Sequence, residues 1–133
     1  MSPVQVVPAA AGPFADMGQA MRRLERIHGC DMRNWIYQDA ARNDVAVIFQ
    51  WEKDTGPVRR TIRHCPGGGW AIGSMLRPWL LYALPEVLES PDRRVYVTGN
   101  EDAADHALWY GLLATTSAQG CAGVGKTDWG PLT

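Results

Sequence analysis

The chain has 133 residues, of which 46% are hydrophobic and 20% charged, and its formal net charge is −1. This length and composition are typical of one globular domain with a buried core and exclude a disordered chain. The near-neutral charge argues against a protein whose main task is to grip duplex DNA, which requires a clear basic excess.

Neither a membrane span nor a disulfide framework is expected. No stretch approaches the roughly twenty apolar residues of a span, and the N-terminus lacks the basic region of a secretory signal. Cys30, Cys65 and Cys121 are odd in number and form no CxxC pair, so we predict a cytoplasmic protein. The pairs His28/Cys30 and His64/Cys65 offer metal-ligating atoms without the spacing of a zinc knuckle. We expect no metal and no other cofactor.

The N-terminal region predicts a flexible lead-in and one helix. Residues 1–13 are rich in proline and glycine, and residues 14–133 are predicted to form a single domain. Asp16 can cap a helix, with Gln19 three residues later, and Gly29 can end it. Apolar residues recur at helical spacing between these two points; they are Met17, Ala20, Met21, Leu24 and Ile27.

The middle of the chain predicts an antiparallel β-meander. Residues 35–39, 45–52 and 58–63 are β-rich runs separated by turn-forming residues. A short strand at residues 70–73 follows three consecutive glycines. The helix and the meander together account for residues 14–92.

Three arginines in the third of these runs are candidate anion ligands. Arg59 and Arg63 are an even number of residues apart and are expected on one face of the strand, with Arg60 on the other. Arg59 and Arg63, together with Lys53, predict a strip that binds phosphate or an acidic partner. The alternative is that charge on an edge strand only prevents aggregation.

The C-terminal part predicts a βαβ unit. An apolar segment with a short helix beginning near Pro85 precedes it. Residues 93–99 are expected to form a short buried strand, residues 100–111 a helix ended by Gly111, and residues 112–116 a second apolar strand. Such short connections favour a parallel pair. The predicted fold class is therefore α+β, with this unit in residues 93–133.

The octapeptide GCAGVGKT at residues 120–127 fits the phosphate-loop pattern G-x-x-x-x-G-K-[ST]. A phosphate loop requires a following helix whose N-terminus faces the phosphates. Only DWGPLT follows here, with Gly130 and Pro131 in it. We therefore interpret the octapeptide as a glycine-rich loop without nucleotide hydrolysis.

Residues 33–132 resemble the Toprim domain of primases from phages and mobile elements, together with the region before it. The resemblance rests on VYVTG at 95–99, Asp102–Ala103, GLLATT at 111–116 and the glycines up to Lys126. The meander, the Gly-Gly-Gly-Trp turn and LYALPE at 81–86 look like the preceding region. The resemblance implies a truncated βαβ Toprim-like half, with an exposed sheet edge that favours dimerisation or docking.

Two departures from the Toprim pattern imply loss of catalysis. Toprim chemistry uses a glutamate after the first strand and a later Asp-x-Asp pair to hold Mg²⁺, which prefers hard oxygen ligands. Thr98 occupies the position of the glutamate, and no Asp-x-Asp segment follows. We therefore expect no enzymatic activity; an active nuclease or primase is the least supported hypothesis.

Two functions remain open from the sequence. The first is a degenerate Toprim-like protein of a phage or mobile element that binds another protein, as an inhibitor of a host replication or defence system. Its candidate partner contacts are Trp109, Trp129, Asp102, Asp105 and His106. The second is a nucleic-acid-binding accessory factor of replication. Its candidate contacts are Arg59, Arg60, Arg63 and Lys126.

Overall fold

A computed structural model describes residues 13–132 and has the predicted α+β fold. Nearly all of the predicted lead-in lies outside the described residues. In chain order the elements are α1 (Met17–His28), β1 (Arg33–Gln38), β2 (Asp44–Lys53), β3 (Gly56–His64), β4 (Trp70–Ile72), α2 (Leu84–Glu89), β5 (Val95–Val97), α3 (Glu101–Trp109) and β6 (Leu113–Thr115), followed by 3₁₀ helices at Gly120–Lys126 and Gly130–Leu132. None of the described helices has the length and apolar character that a membrane crossing requires.

Helix α1 has the predicted start and stop. The Asp16 carboxylate accepts a hydrogen bond from the Gln19 N–H at 2.9 Å, and the Gln19 side chain accepts one from Ala15 at 3.0 Å. Gly29 ends the helix with φ of 97°. Ile27, the last of the apolar residues that recur at helical spacing, is 61% exposed. Because a helix turns 100° per residue, His28 rather than Ile27 lies in line with buried Leu24.

The meander forms a four-stranded sheet in the order β1-β2-β3-β4. Strands β2 and β3 are antiparallel with Phe49 opposite Arg60, and β3 and β4 are antiparallel with Arg63 opposite Ala71. Alternate residues of β2 and β3 form one core with α1. That core contains Ala20, Leu24, Val47, Phe49, Trp51 and Ile62.

The described chain divides into two compact units, and the boundary falls within β1. Unit 1 contains the residues up to Trp35 together with Val45–Met75. Unit 2 contains Ile36–Asp44 and the residues from Leu76 onward. Unit 1 thus holds α1 and most of the meander, whereas unit 2 holds the predicted βαβ unit.

Strands β5 and β6 form the predicted parallel pair, with Tyr96 opposite Ala114. Asn100 caps the intervening helix α3 by accepting a hydrogen bond from the Ala103 N–H at 2.8 Å. Strand β6 is fully buried, and on its other side the Tyr82 N–H donates to the Thr116 carbonyl at 3.1 Å. The prediction that β5 is buried is wrong, since Val97 is 55% exposed. The reason is that β6 is the only described strand that pairs with β5, so the other side of β5 is an edge.

Candidate functional site

The two most exposed large apolar side chains described in the structure lie at the C-terminal end of α3 and directly after it. Trp109 is 84% exposed and Tyr110 is 80% exposed, and Leu112 follows with 44%. We call these three residues the apolar patch. They are held at the surface because α3 ends at Trp109 and Gly111 reverses the chain with φ of 85°, a conformation that glycine adopts without strain.

Two arginines border the apolar patch. The Arg93 guanidinium donates to the Gly111 carbonyl at 2.8 Å, and both Arg93 and Arg94 are exposed. Continuing the register of the parallel pair by one residue places Arg94 beside Leu112. Tryptophan, tyrosine and arginine are the residue types that contribute most to protein interfaces. The sequence identified Trp109 as a candidate contact but not Tyr110 or Leu112. The predicted end of the helix at Gly111 could have indicated them, because residues at a helix end are often exposed.

The other predicted partner contacts of α3 have different environments. Asp105 is half-buried and accepts a hydrogen bond from the Tyr82 hydroxyl at 2.6 Å. Burial and this carboxylate raise the pKa of Tyr82 far above its usual value. His106 is exposed, whereas Asp102 is half-buried. Asp105 therefore holds α3 against the segment that contains Tyr82. Of the three polar partner contacts predicted on α3, only His106 is exposed.

Trp129 is likewise half-buried, and its indole N–H donates to the Val124 carbonyl at 2.9 Å. This bond ties the last described residues to the glycine-rich loop.

The arginines of β3 lie as their spacing predicted. The register places Arg59 opposite Gln50 and Arg63 opposite Ala46 on one face, with Arg60 on the face toward α1. Both Arg59 and Arg63 are half-buried and already hydrogen-bonded within unit 1. Arg59 donates to the Gln50 side chain at 2.8 Å and Arg63 to the Ser74 carbonyl at 3.0 Å.

Lys53 does not join this pair. It lies on the α1 face of β2 and donates to the His28 carbonyl at 2.6 Å. The guanidinium carbons of Arg33 and Arg59 lie 5.3 and 5.6 Å from the centroid of the Trp35 ring. The anion-binding strip predicted with Lys53 therefore reduces to Arg59 and Arg63.

The octapeptide that fits the phosphate-loop pattern forms a 3₁₀ helix, Gly120–Lys126. The Lys126 amine lies 5.3 Å from the centroid of the Trp79 ring. The backbone N–H of Trp79 donates to the backbone carbonyl of Lys126 at 2.7 Å. The Thr127 hydroxyl donates to the Gly123 carbonyl at 2.8 Å. The lysine and hydroxyl that would reach a phosphate in that motif thus contact unit 2 itself.

A buried carboxylate was missed by sequence reasoning. Glu101, in the first turn of α3, is 2% exposed and accepts a hydrogen bond from the Tyr37 hydroxyl at 2.7 Å. Nearby, Thr98 donates its hydroxyl to the Asn100 carbonyl at 2.9 Å. Tyr37 and Glu101 are 64 residues apart, so no local pattern could have paired them.

Metal-ligand groups do not converge in residues 13–132, where no cluster of three His, Cys, Asp or Glu side chains can hold an ion. His28 contacts the Trp51 ring at 4.8 Å and His64 the Trp70 ring at 5.1 Å. Each histidine of the predicted His/Cys pairs therefore has an aromatic neighbour.

Comparison with models of protein families, with curated proteins and with solved structures found no match to this chain.

Proposed function

We propose that the chain is a non-catalytic, Toprim-like protein of a phage or mobile element that acts in the cytoplasm by binding another protein. The observation that carries this proposal is the apolar patch, with Trp109 and Tyr110 more than three-quarters exposed at the end of α3. Exposed aromatic side chains of this kind lose little conformational entropy on binding and bury a large area.

The border of the apolar patch indicates the chemistry of the partner. Arg93 and Arg94 are exposed beside it. Because the net charge of the chain is −1, this positive charge is a local feature of the surface and not a property of the whole protein. We expect a partner with a groove for an aromatic side chain and acidic residues around that groove. A replication or defence protein of the host is the proposed partner, and inhibition is the proposed outcome.

Two contacts support a non-catalytic reading. The position of the Toprim glutamate carries Thr98, whose hydroxyl is bonded to the Asn100 carbonyl. The nearby carboxylate of Glu101 is buried and bonded to Tyr37. Mg²⁺ needs accessible hard oxygen ligands, and neither residue offers one.

Site-specific photocrosslinking tests the proposal. p-Benzoylphenylalanine at position 109, in a lysate of the host, is expected to capture one discrete protein. The matched control carries the same group at Ile27, an exposed apolar position in unit 1. With the captured protein purified, Trp109→Ala is expected to weaken binding by about 30-fold, as hot-spot truncations of about 2 kcal/mol do. Equal capture from both positions, or none from position 109, contradicts the proposal.

A second candidate function is a nucleic-acid-binding accessory factor. Arg59 and Arg63, which share one face of β3, favour it, whereas Arg60 faces α1 and Lys126 belongs to unit 2. Binding of single-stranded DNA that weakens with salt, and that Arg59→Ala with Arg63→Ala reduces, would support this function. Absence of binding at low salt would exclude it.

A further inference from the structure

The outer edge of β5 presents backbone groups that no described strand pairs. The Thr98 N–H donates to the Thr115 carbonyl at 2.9 Å, so the backbone of Thr98 faces β6. Because backbone direction alternates along a strand, the N–H and C=O of Tyr96 also face β6, while those of Val95 and Val97 face away. Among the described residues the sheet contains only β5 and β6.

The side chains at this edge are apolar and partly exposed. Val97 is 55% exposed and Tyr96 is 41% exposed. Proteins block free edges with very short strands, proline, lysine, bulges or a covering segment. Of these devices β5 has the short length, three residues, but neither proline nor charge.

We propose that β5 pairs antiparallel with β5 of a second copy of this chain, with the two-fold axis passing beside Tyr96. In this register Val95 of each copy lies opposite Val97 of the other, and each such pair exchanges both of its outward hydrogen bonds. Tyr96 then lies opposite its own counterpart in a non-hydrogen-bonded pair, where side chains approach most closely.

The charges at the two ends of β5 favour a second copy in this orientation. Arg93 and Arg94 precede β5, and α3 begins after it with Asp102 in its first turn. Antiparallel pairing brings the basic end of one copy to the acidic end of the other, and it places Arg94 opposite Thr98. Parallel pairing would place Arg94 beside its own counterpart, and like charges at opposed positions are destabilising.

The inference goes beyond the proposed function, because it assigns a second surface. Trp109 and Tyr110 make no part of the β5 edge, so a dimer formed at β5 leaves them available for a different protein.

Cysteine crosslinking tests the register. In a background with Cys30, Cys65 and Cys121 replaced by serine, Tyr96→Cys is expected to form a disulfide dimer under mild oxidation. Arg94→Cys alone is expected to form no disulfide, because position 94 lies opposite position 98, whereas a mixture of Arg94→Cys and Thr98→Cys is expected to crosslink. If Arg94→Cys crosslinks as readily as Tyr96→Cys, or if Tyr96→Cys does not crosslink, the inference is wrong.

Sedimentation of the full chain tests the dimer without a covalent bond. Val97→Pro removes one outward N–H from each copy and is expected to raise the dimer dissociation constant about tenfold; Val97→Thr keeps the N–H and serves as its control. If circular dichroism shows that Val97→Pro is unfolded, Tyr96→Lys replaces it. This variant places two positive charges opposite each other at the two-fold axis and is likewise expected to raise the dimer dissociation constant. A wild-type monomer at all soluble concentrations overturns the inference.

The two proposals fail separately. Crosslinking of a partner from position 109 that persists in Tyr96→Lys, together with a monomeric wild type, would leave the proposed function standing and remove the dimer. A wild-type dimer with no partner captured from position 109 would do the reverse.

Discussion

At the scale of single residues, the buried contact between Tyr37 and Glu101 is the clearest polar determinant of unit 2. Tyr37→Phe removes the hydroxyl that donates to the Glu101 carboxylate at 2.7 Å. The carboxylate stays buried with one hydrogen bond fewer, so we expect the free energy of unfolding to fall by about 1–3 kcal/mol. Denaturation by urea measures this loss.

Tyr110→Phe is the matched control, because it makes the same chemical change at an exposed tyrosine of unit 2. It is expected to change the free energy of unfolding by no more than about 0.5 kcal/mol. Equal losses in the two variants would show that the Tyr37 hydroxyl contributes nothing specific.

A second residue-scale prediction concerns His28. Burial, with help from the charges of Arg60 and Lys53, lowers its pKa below the value of 6.5. Because the folded-state pKa is the lower one, the stability that this gives is complete above the unfolded pKa and is lost as the pH falls through the folded pKa. The free energy of unfolding is thus expected to fall as the solution is acidified below about pH 6.5.

Substitutions on opposite faces of β3 separate the electrostatic cause. Arg60→Gln is expected to raise the pKa of His28, measured by NMR titration of the imidazole, because Arg60 lies on the α1 face. Arg63→Gln, on the other face, is expected to leave it unchanged. Equal shifts in the two variants would contradict the assignment of Arg60 and Arg63 to opposite faces.

At the scale of elements, the 3₁₀ helix Gly120–Lys126 depends on close packing at one glycine. A Cβ atom on Gly123 would lie 3.0 Å from the Trp79 ring and 3.2 Å from the Gln119 side chain. Gly123→Ala is therefore expected to lower the free energy of unfolding by about 1–3 kcal/mol. Gly125→Ala is its control, since nothing lies within 4 Å of a Cβ there, and thermal denaturation should show little change. Similar losses in both variants would show that the loss does not come from close packing at Gly123.

The elements themselves were predictable where local chemistry specifies them. The Asp16 cap, the Gly29 stop and the alternate facing of the β3 arginines each depend on residues close in sequence, and each prediction is confirmed. The burial of β5 was not predictable, because an apolar run has the same pattern in a central strand and in an edge strand. Which strand lies at the edge is decided by pairing between distant segments.

At the scale of the whole molecule, the candidate site was predictable only in part. Trp109 was identified from its type and its helix, and Arg59 and Arg63 from their spacing. Their surroundings were not: Gln50 and Ser74 engage the two arginines, and neither contact follows from a motif. Residue type thus indicated which side chains can contact a partner, while burial decided which of them remain accessible.

The balance of charge and exposed apolar surface leads to a prediction about solubility. The sequence pI is about 6.3, so solubility is expected to be lowest near that pH, where repulsion between molecules vanishes. The double variant Trp109→Ser, Tyr110→Ser is expected to raise solubility there, because a contiguous exposed apolar patch promotes association. Ile27→Ser removes a single exposed apolar side chain of unit 1, and isolated residues of that kind have little effect. Precipitation with ammonium sulfate at pH 6.3 compares the three proteins. A larger gain from Ile27→Ser than from the double variant would show that the apolar patch is not the surface through which the molecules associate.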